Sequence, residues 1–405
     1  MPKSIRRLCL LLGIIVQLIW SEECIVGDDC TTDDPSRFGE SFAKQSKYPK
    51  TKTIELYDVW NCPDLPPDGY PIQWPAQTVL RNWRTNVTEI PERIHQGLCF
   101  FDVATDMTKA WSYLDKDKPF IVRNTPDLVA AAKRWAQPGY LENVLGDTKH
   151  PVHRSPSHEF KYWVRKEYTP EGWTEPTEVL RIPYHEYLKL KSSSPKANET
   201  HYYFYAEGFW SVSPGEEHFR FELFNELERF KPGQQPELFM ENFGPNGPPE
   251  ISTFQKLHCK IGQAGNMAVM HFDSSRNTLV LLKGQRRYLL ADPSQCGKLN
   301  LHQTEHPSNR HTTLDFGNLP EDLDLYLNEV VMNPGDTLIL PSYWFHSIIG
   351  LSEETAQCNV WSIATMTHKR HVEKCGNFAI GPDPEGLNNV EEANIEDASS
   401  AVDEL

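Results

Sequence analysis

Short apolar runs bounded by turn residues dominate the second half of the chain. They predict strands at 278–282, 287–291, 329–332, 336–340 and 358–365, and Leu257 with Ile261 marks another. His271, Phe272 and Asp273 lie in one more such run. The first half is mixed. Residues 118–124 read as a short strand. Leu128, Ala131, Ala132 and Trp135 recur at helical spacing over 127–135, and 140–146 reads as a helical turn closed by Gly146. Tyr202, Tyr203, Phe204 and Tyr205 make an aromatic strand, and 219–230 a short amphipathic helix. Residues 231–250, rich in proline and glycine, read as a loop, and no internal repeat is evident. The pattern predicts a mainly β fold with an α+β N-terminal portion.

Composition agrees. Charged residues at 24% and hydrophobic residues at 39% fit a folded chain, which at 405 residues forms one large domain or two smaller ones. The 31 prolines favour strands and loops over long helices. Net charge is −16, and no basic stripe stands out, so nucleic acid is not expected as a partner.

The first residues, with Lys3, Arg6 and Arg7 before an apolar run from 8 to 20, resemble a secretory signal peptide over 1–21. The run is shorter than the roughly 20 residues a membrane span needs, so no stable span is expected. Asn86-Val87-Thr88 and Asn198-Glu199-Thr200 are glycosylation sequons. Eight cysteines remain after Cys9, an even number that predicts disulfides without fixing their pairing. Val402-Asp403-Glu404-Leu405 resembles a retention signal of the endoplasmic reticulum, with valine where a basic residue is usual. The expected compartment is the lumen of the reticulum, or the exterior if retrieval is weak. The expected organisation is 1–21 leader, 22–114 irregular lead-in, 115–372 functional domain and 373–405 acidic flexible tail.

The chemistry centres on His271, Asp273 and His346. On a strand, residues two apart share a face, so His271 and Asp273 can aim into one interior while Phe272 packs behind. His346 follows the turn Asn333-Pro334-Gly335-Asp336 and the buried run 337–340, and is expected from a distant strand. Two imidazoles and one carboxylate suit one face of an octahedral ferrous ion. A His-x-Asp triplet alone is weak, since a histidine is more often a satisfied polar group than a ligand. His302, His306 and His311 read as a solvated loop, and His368 with His371 as a surface pair. There is no nucleophile elbow, phosphate loop or dinucleotide fingerprint.

The flanking strings add weight. They are the residues from Ile261 to Asp273, Lys283 to Leu290, Pro334 to His346, and Asn359-Val360-Trp361, with Pro119 to Arg123 upstream. In this order and spacing, over about 115–368, the chain resembles the Jumonji C, cupin-like family of ferrous, 2-oxoglutarate-dependent oxygenases. The resemblance implies a double-stranded β-helix, of cupin or jelly-roll type, with helices packed outside. It implies iron held by His271, Asp273 and His346, and 2-oxoglutarate as co-substrate. The family's lysine for the distal carboxylate corresponds to Arg286, with Lys283 as the alternative cation. Tyr203, Asn277 and Asn359 are candidate polar contacts, and Ala268 stands where the family often has threonine. The implied activity is hydroxylation of a protein or peptide of the secretory pathway, with demethylation less expected in that compartment. A binding module of the same fold that has lost turnover, and a cupin using another metal, remain alternatives.

Overall fold

In the computed structural model, residues 57–81, 94–164, 169–193, 200–211, 222–230, 254–362 and 365–375 are described. The leader, both sequon asparagines, the 231–250 loop and the tail from residue 376 lie outside them; the first residues of the predicted tail instead end the helix Lys369–Glu373 and supply Cys375 to a disulfide. The strands are β1 (Trp74–Pro75), β2 (Phe100–Asp102), β3 (Phe120–Arg123), β4 (His150–Ser155), β5 (Glu159–Phe160), β6 (Glu178–Ile182), β7 (His201–Ser211) and β8 (Phe254–Gln263). They continue with β9 (Met267–Phe272), β10 (Arg276–Lys283), β11 (Arg286–Ala291), β12 (Tyr326–Met332), β13 (Thr337–Leu340), β14 (Phe345–Gly350) and β15 (Glu354–Ser362).

These strands form two sheets. One runs β1-β12-β11-β14-β9-β5, the other β2-β3-β13-β10-β15-β8-β7-β4-β6. From β8 onward the chain crosses between them in the order β8, β9, β10, β11, with β12 returning beside β11 before β13, β14 and β15 cross again. That path is the double-stranded β-helix that the family resemblance implies. The two sheets face one another over Ile121, Leu279, Leu281, Leu290, Leu338 and Trp344.

Alternation sorts each strand. On β8 and β15, Leu257, Cys259, Ile261, Ala356, Cys358 and Val360 point away from the barrel into an outer core. Helices Pro126–Trp135 and Tyr184–Ser193 cover that core through Leu128, Ala131, Trp135, Tyr184 and Tyr187. Helix coverage leaves the opposite, polar faces of β8 and β15 looking into the barrel. Behind the other sheet, Met270, Phe272, Leu289, Ala291 and Phe345 pack with Val79 and Phe316.

The N-terminal elements fall close to expectation. The helices Pro126–Trp135 and Tyr140–Leu145 form, the latter ended by Gly146 at φ +53°. The region predicted as one helix up to Phe230 divides into a helix, Glu222–Glu226, and a 3-10 turn, Glu228–Phe230. The predicted irregular lead-in differs more. Its described parts supply β1 to the edge of one sheet and β2 to the edge of the other.

Three disulfides form. Cys62–Cys99 ties the lead-in to β2, Cys259–Cys358 joins β8 and β15 at directly paired positions, and Cys296–Cys375 closes the C-terminal side. No described helix is long and apolar enough to cross a membrane.

Candidate metal centre

His271 ends β9 and His346 begins β14. His346 comes, as expected, from a strand far along the chain, and that strand is the hydrogen-bonded neighbour of β9, so the two histidines face each other in the ladder. Their rings lie 4.3 Å apart. Asp273 sits one residue past β9, and its backbone carbonyl accepts from the Tyr343 N–H at 2.7 Å. Tyr343 holds φ at +68°, a left-handed conformation that costs a bulky residue of order 1–3 kcal/mol. It turns the chain so that His346 enters β14 opposite His271.

One ligand atom from each of His271, Asp273 and His346 lies within 4.8 Å of the others. His346 Nε2 is 3.7 Å from Asp273 Oδ2. Each histidine is held through its other nitrogen. His271 Nδ1 donates to the Val269 carbonyl at 2.7 Å, and His346 Nδ1 to the Trp344 carbonyl at 3.0 Å. Those bonds fix the tautomer that leaves Nε2 bare for a metal. Asp273 Oδ2 accepts from Asn277 Nδ2 at 2.8 Å and Trp361 Nε1 at 3.1 Å.

Protonation favours coordination. Burial holds the His271 imidazole well below the ordinary histidine range, with the His346 and His311 rings acting the same way. Burial lowers His346 too, against the pull of Asp273. For Asp273 burial works against ionisation, but His346, His271 and the Trp361 N–H outweigh it and keep the carboxylate below its usual range. Two neutral imidazoles and one carboxylate therefore converge without a proton to displace, and this donor set fits a ferrous ion.

The other candidates separate into two groups. Arg286 is 1% exposed and points into the barrel. Its Nε donates to Thr355 Oγ1 at 3.0 Å, NH1 to Gln357 Oε1 at 3.1 Å, and NH2 to the carbonyls of Lys260 at 2.8 Å and Thr355 at 3.4 Å. Its guanidinium carbon lies 5.7 Å from the Tyr203 ring centre, so Tyr203 shares this end. Lys283, by contrast, gives its ammonium to Glu354 at 3.1 Å, a carboxylate that also accepts from Tyr184. Asn277 braces Asp273, and Asn359 braces Asn277 at 3.2 Å, which places both asparagines behind the ligand set.

Sequence reasoning missed two residues. His311 is 3% exposed, not solvated; its ring stacks on His271 at 4.8 Å and 15°, and its Nε2 accepts from the Tyr162 N–H. His302 and His306 stack on each other at 3.9 Å, and no second metal cluster forms among the described residues. His368 is likewise buried, with Nε2 at 3.1 Å from the Asp117 carbonyl. The second missed residue is Lys260, on the inner face of β8. Alternation of His258 and Lys260 with Leu257, Cys259 and Ile261 was its only signal in the sequence.

A β-helix with two histidines and a carboxylate converging at its mouth defines a cupin barrel with a side-chain set that could hold a metal ion. The cupin-like domain family matches residues 108–366, and the chain belongs to it. Among characterised proteins, the Jumonji C domain-containing protein 5 of Drosophila melanogaster is 31% identical over 93 residues. That match spans 22% of this chain and 23% of the fly protein.

Proposed function

We propose that this protein is a ferrous, 2-oxoglutarate-dependent oxygenase that hydroxylates a side chain of a protein or peptide in the secretory pathway. One arrangement carries the reading. The triad of neutral imidazoles and a carboxylate sits at one level of the barrel, and a buried arginine without a carboxylate partner among the described residues sits deeper. Iron bound there would supply oxygen activation at the expense of the 2-oxo acid. The chain's own residues do the rest. His271, Asp273 and His346 would hold the ion. Arg286 makes the far end of the barrel positive, and a buried cation calls for an anion there. Trp361 and Asn277 orient Asp273, while the stacked His311 shields His271 from water on its outer side.

Three disulfides support an oxidising compartment, in keeping with the lumenal reading of the leader and the Asp-Glu-Leu ending. A second reading, a binding module without turnover, draws on Ala268, which offers no hydroxyl where the family often has one.

The test is succinate release from 2-oxoglutarate by purified protein with ferrous iron, alone and with secretory-pathway extract as substrate. Turnover by the wild type that Asp273→Ala abolishes supports the oxygenase. Iron-loaded wild type that releases no succinate with any extract leaves the binding module.

A further inference from the structure

Lys260 is a partly buried cation that the preceding description leaves without work. It lies on β8, opposite Tyr205 on one side and Gln357 on the other. Its Nζ stands 5.4 Å from the Tyr205 ring centre. No hydrogen bond or direct ion pair holds that ammonium among the described residues, and the Asp273 carboxylate acts on it from the metal side through space. Two positions away on the same face, His258 packs its ring 4.7 Å from Trp361, the residue bonded to Asp273. In the other direction, the Lys260 carbonyl accepts from Arg286. At about 3.3 Å per residue, Lys260 stands between the metal level and the Arg286 level. Its charge couples to both sides, to Asp273, His271 and His346 at the metal level and to Arg286 beyond.

Arg286 is poorly placed to grip an anion by itself. A guanidinium has five N–H donors. Thr355 Oγ1, Gln357 Oε1 and the two carbonyls of Lys260 and Thr355 occupy four of them. The bidentate fork that makes arginine a carboxylate receptor needs two parallel donors, and one remains. Lys260 offers three. The hydroxyls of Tyr203 and Tyr205, on the adjacent strand, make no hydrogen bond among the described residues and stand on the same inner face. Gln357, between the two cations, is held by Arg286 and by the Tyr288 hydroxyl.

We propose that Lys260 on β8, and not Arg286 on β11, is the cation that directly receives the distal carboxylate of the 2-oxo acid. Arg286 is then a positioning residue: it fixes the Lys260 backbone, Thr355 and Gln357, and keeps the floor of the pocket positive. The inference rests on the oxygenase reading and adds to it a change of anchor. It also sets ligand class. The pocket prefers a 2-oxo acid with a carboxylate at its far end over one that ends in a methyl group.

Calorimetric titration of the manganese-loaded, full-length protein tests this without turnover. The probes are 2-oxoglutarate and 2-oxopentanoate, which keeps the chelating end and replaces the distal carboxylate by a methyl group. Lys260→Met is expected to weaken 2-oxoglutarate about 10- to 100-fold, the loss of a charge-assisted bond. It leaves 2-oxopentanoate within about twofold, which also shows that the variant is folded and metal-loaded. Lys260→Arg, which keeps the charge, retains more 2-oxoglutarate affinity than Lys260→Met. Unchanged 2-oxoglutarate binding in Lys260→Met overturns the inference alone and returns the carboxylate to Arg286. Equal weakening of both ligands also overturns it, since the role would then be structural. A wild type that binds manganese but not 2-oxoglutarate overturns the oxygenase reading and this inference together.

Discussion

Asn277 donates to Asp273 Oδ2 at 2.8 Å, and is itself held from behind by Asn359 at 3.2 Å. The carboxylate ligand is thus the end of a chain of side chains that crosses from β15 to β10. Such partners orient a ligand and tune its basicity, and losing one typically costs 10- to 100-fold in metal affinity. Asn277→Ala is expected to weaken manganese or ferrous binding by about that factor. Asn359→Ala, one step further back, is expected to weaken it less. Competition with a chromophoric chelator measures both, and equal effects at the two positions would argue against the relay.

The acid side of the stability profile should reflect buried neutral histidines. His153 is bonded to Thr177 at 2.9 Å, and burial, helped by Lys260, lowers it to about 4. Burial lowers His311 to about 3. Unfolded, both titrate near 6.5. The folded chain therefore resists protons that the unfolded chain accepts. Their contribution is fully present above about pH 6.5 and is lost as pH falls toward about 4 for His153 and about 3 for His311. Thermal melts of metal-free protein across that range are expected to show a steady fall, shallower in His153→Phe.

Gly262 is required by its neighbour. A Cβ there would lie 2.8 Å from the Tyr203 ring and 3.1 Å from Asn266 Nδ2. Gly262→Ala must displace Tyr203, an aromatic that is 3% exposed and packed on Phe160. Overpacking of this kind costs about 1–3 kcal/mol, and a denaturant titration reads it directly. Because Tyr203 lines the pocket beside Arg286, 2-oxoglutarate affinity is expected to fall as well.

Cys259–Cys358 lies immediately behind Lys260 and Gln357, on the opposite face of the same strands. Replacing both cysteines by serine removes a link that closes a long loop, worth about 2–4 kcal/mol. The melting temperature is expected to drop, and the affinity for 2-oxoglutarate to drop with it as β8 and β15 loosen. A drop in stability with full affinity would show that the strands hold the pocket without the bridge.

The pairing of His271 with Asp273 was legible because strand geometry is local: two residues apart means one face, whatever the rest of the fold does; His346, 73 residues on, joined them through the flanking strings that resemble the cupin-like family. The strands were legible from short apolar runs and turns, and the barrel from the resemblance that their flanking strings carry. Lys260 was not. Its strand alternates polar and apolar residues, and such a pattern ordinarily places the polar side in water. Here helices carried elsewhere in the chain cover the apolar side, so the polar side faces inward. Arg286 could be located but not its partners, because Thr355 and Gln357 reach it only through the register of β15 against β8. His311 belongs to a loop whose sequence reads as solvated, and its stacking on His271 depends on an isolated bridge between them.

The two earliest strands carry a practical lesson. The family match starts at residue 108, which invites a cut there. Yet β1 and β2, both upstream, cap opposite sheets by pairing with β12 and β3. A protein shortened to the matched region would present two bare strand edges, one from each sheet, and would lose Cys375, leaving Cys296 without its disulfide partner. Bare edges recruit other chains. Poor solubility of such a fragment would then reflect missing edge protection, not an inability of the barrel to fold.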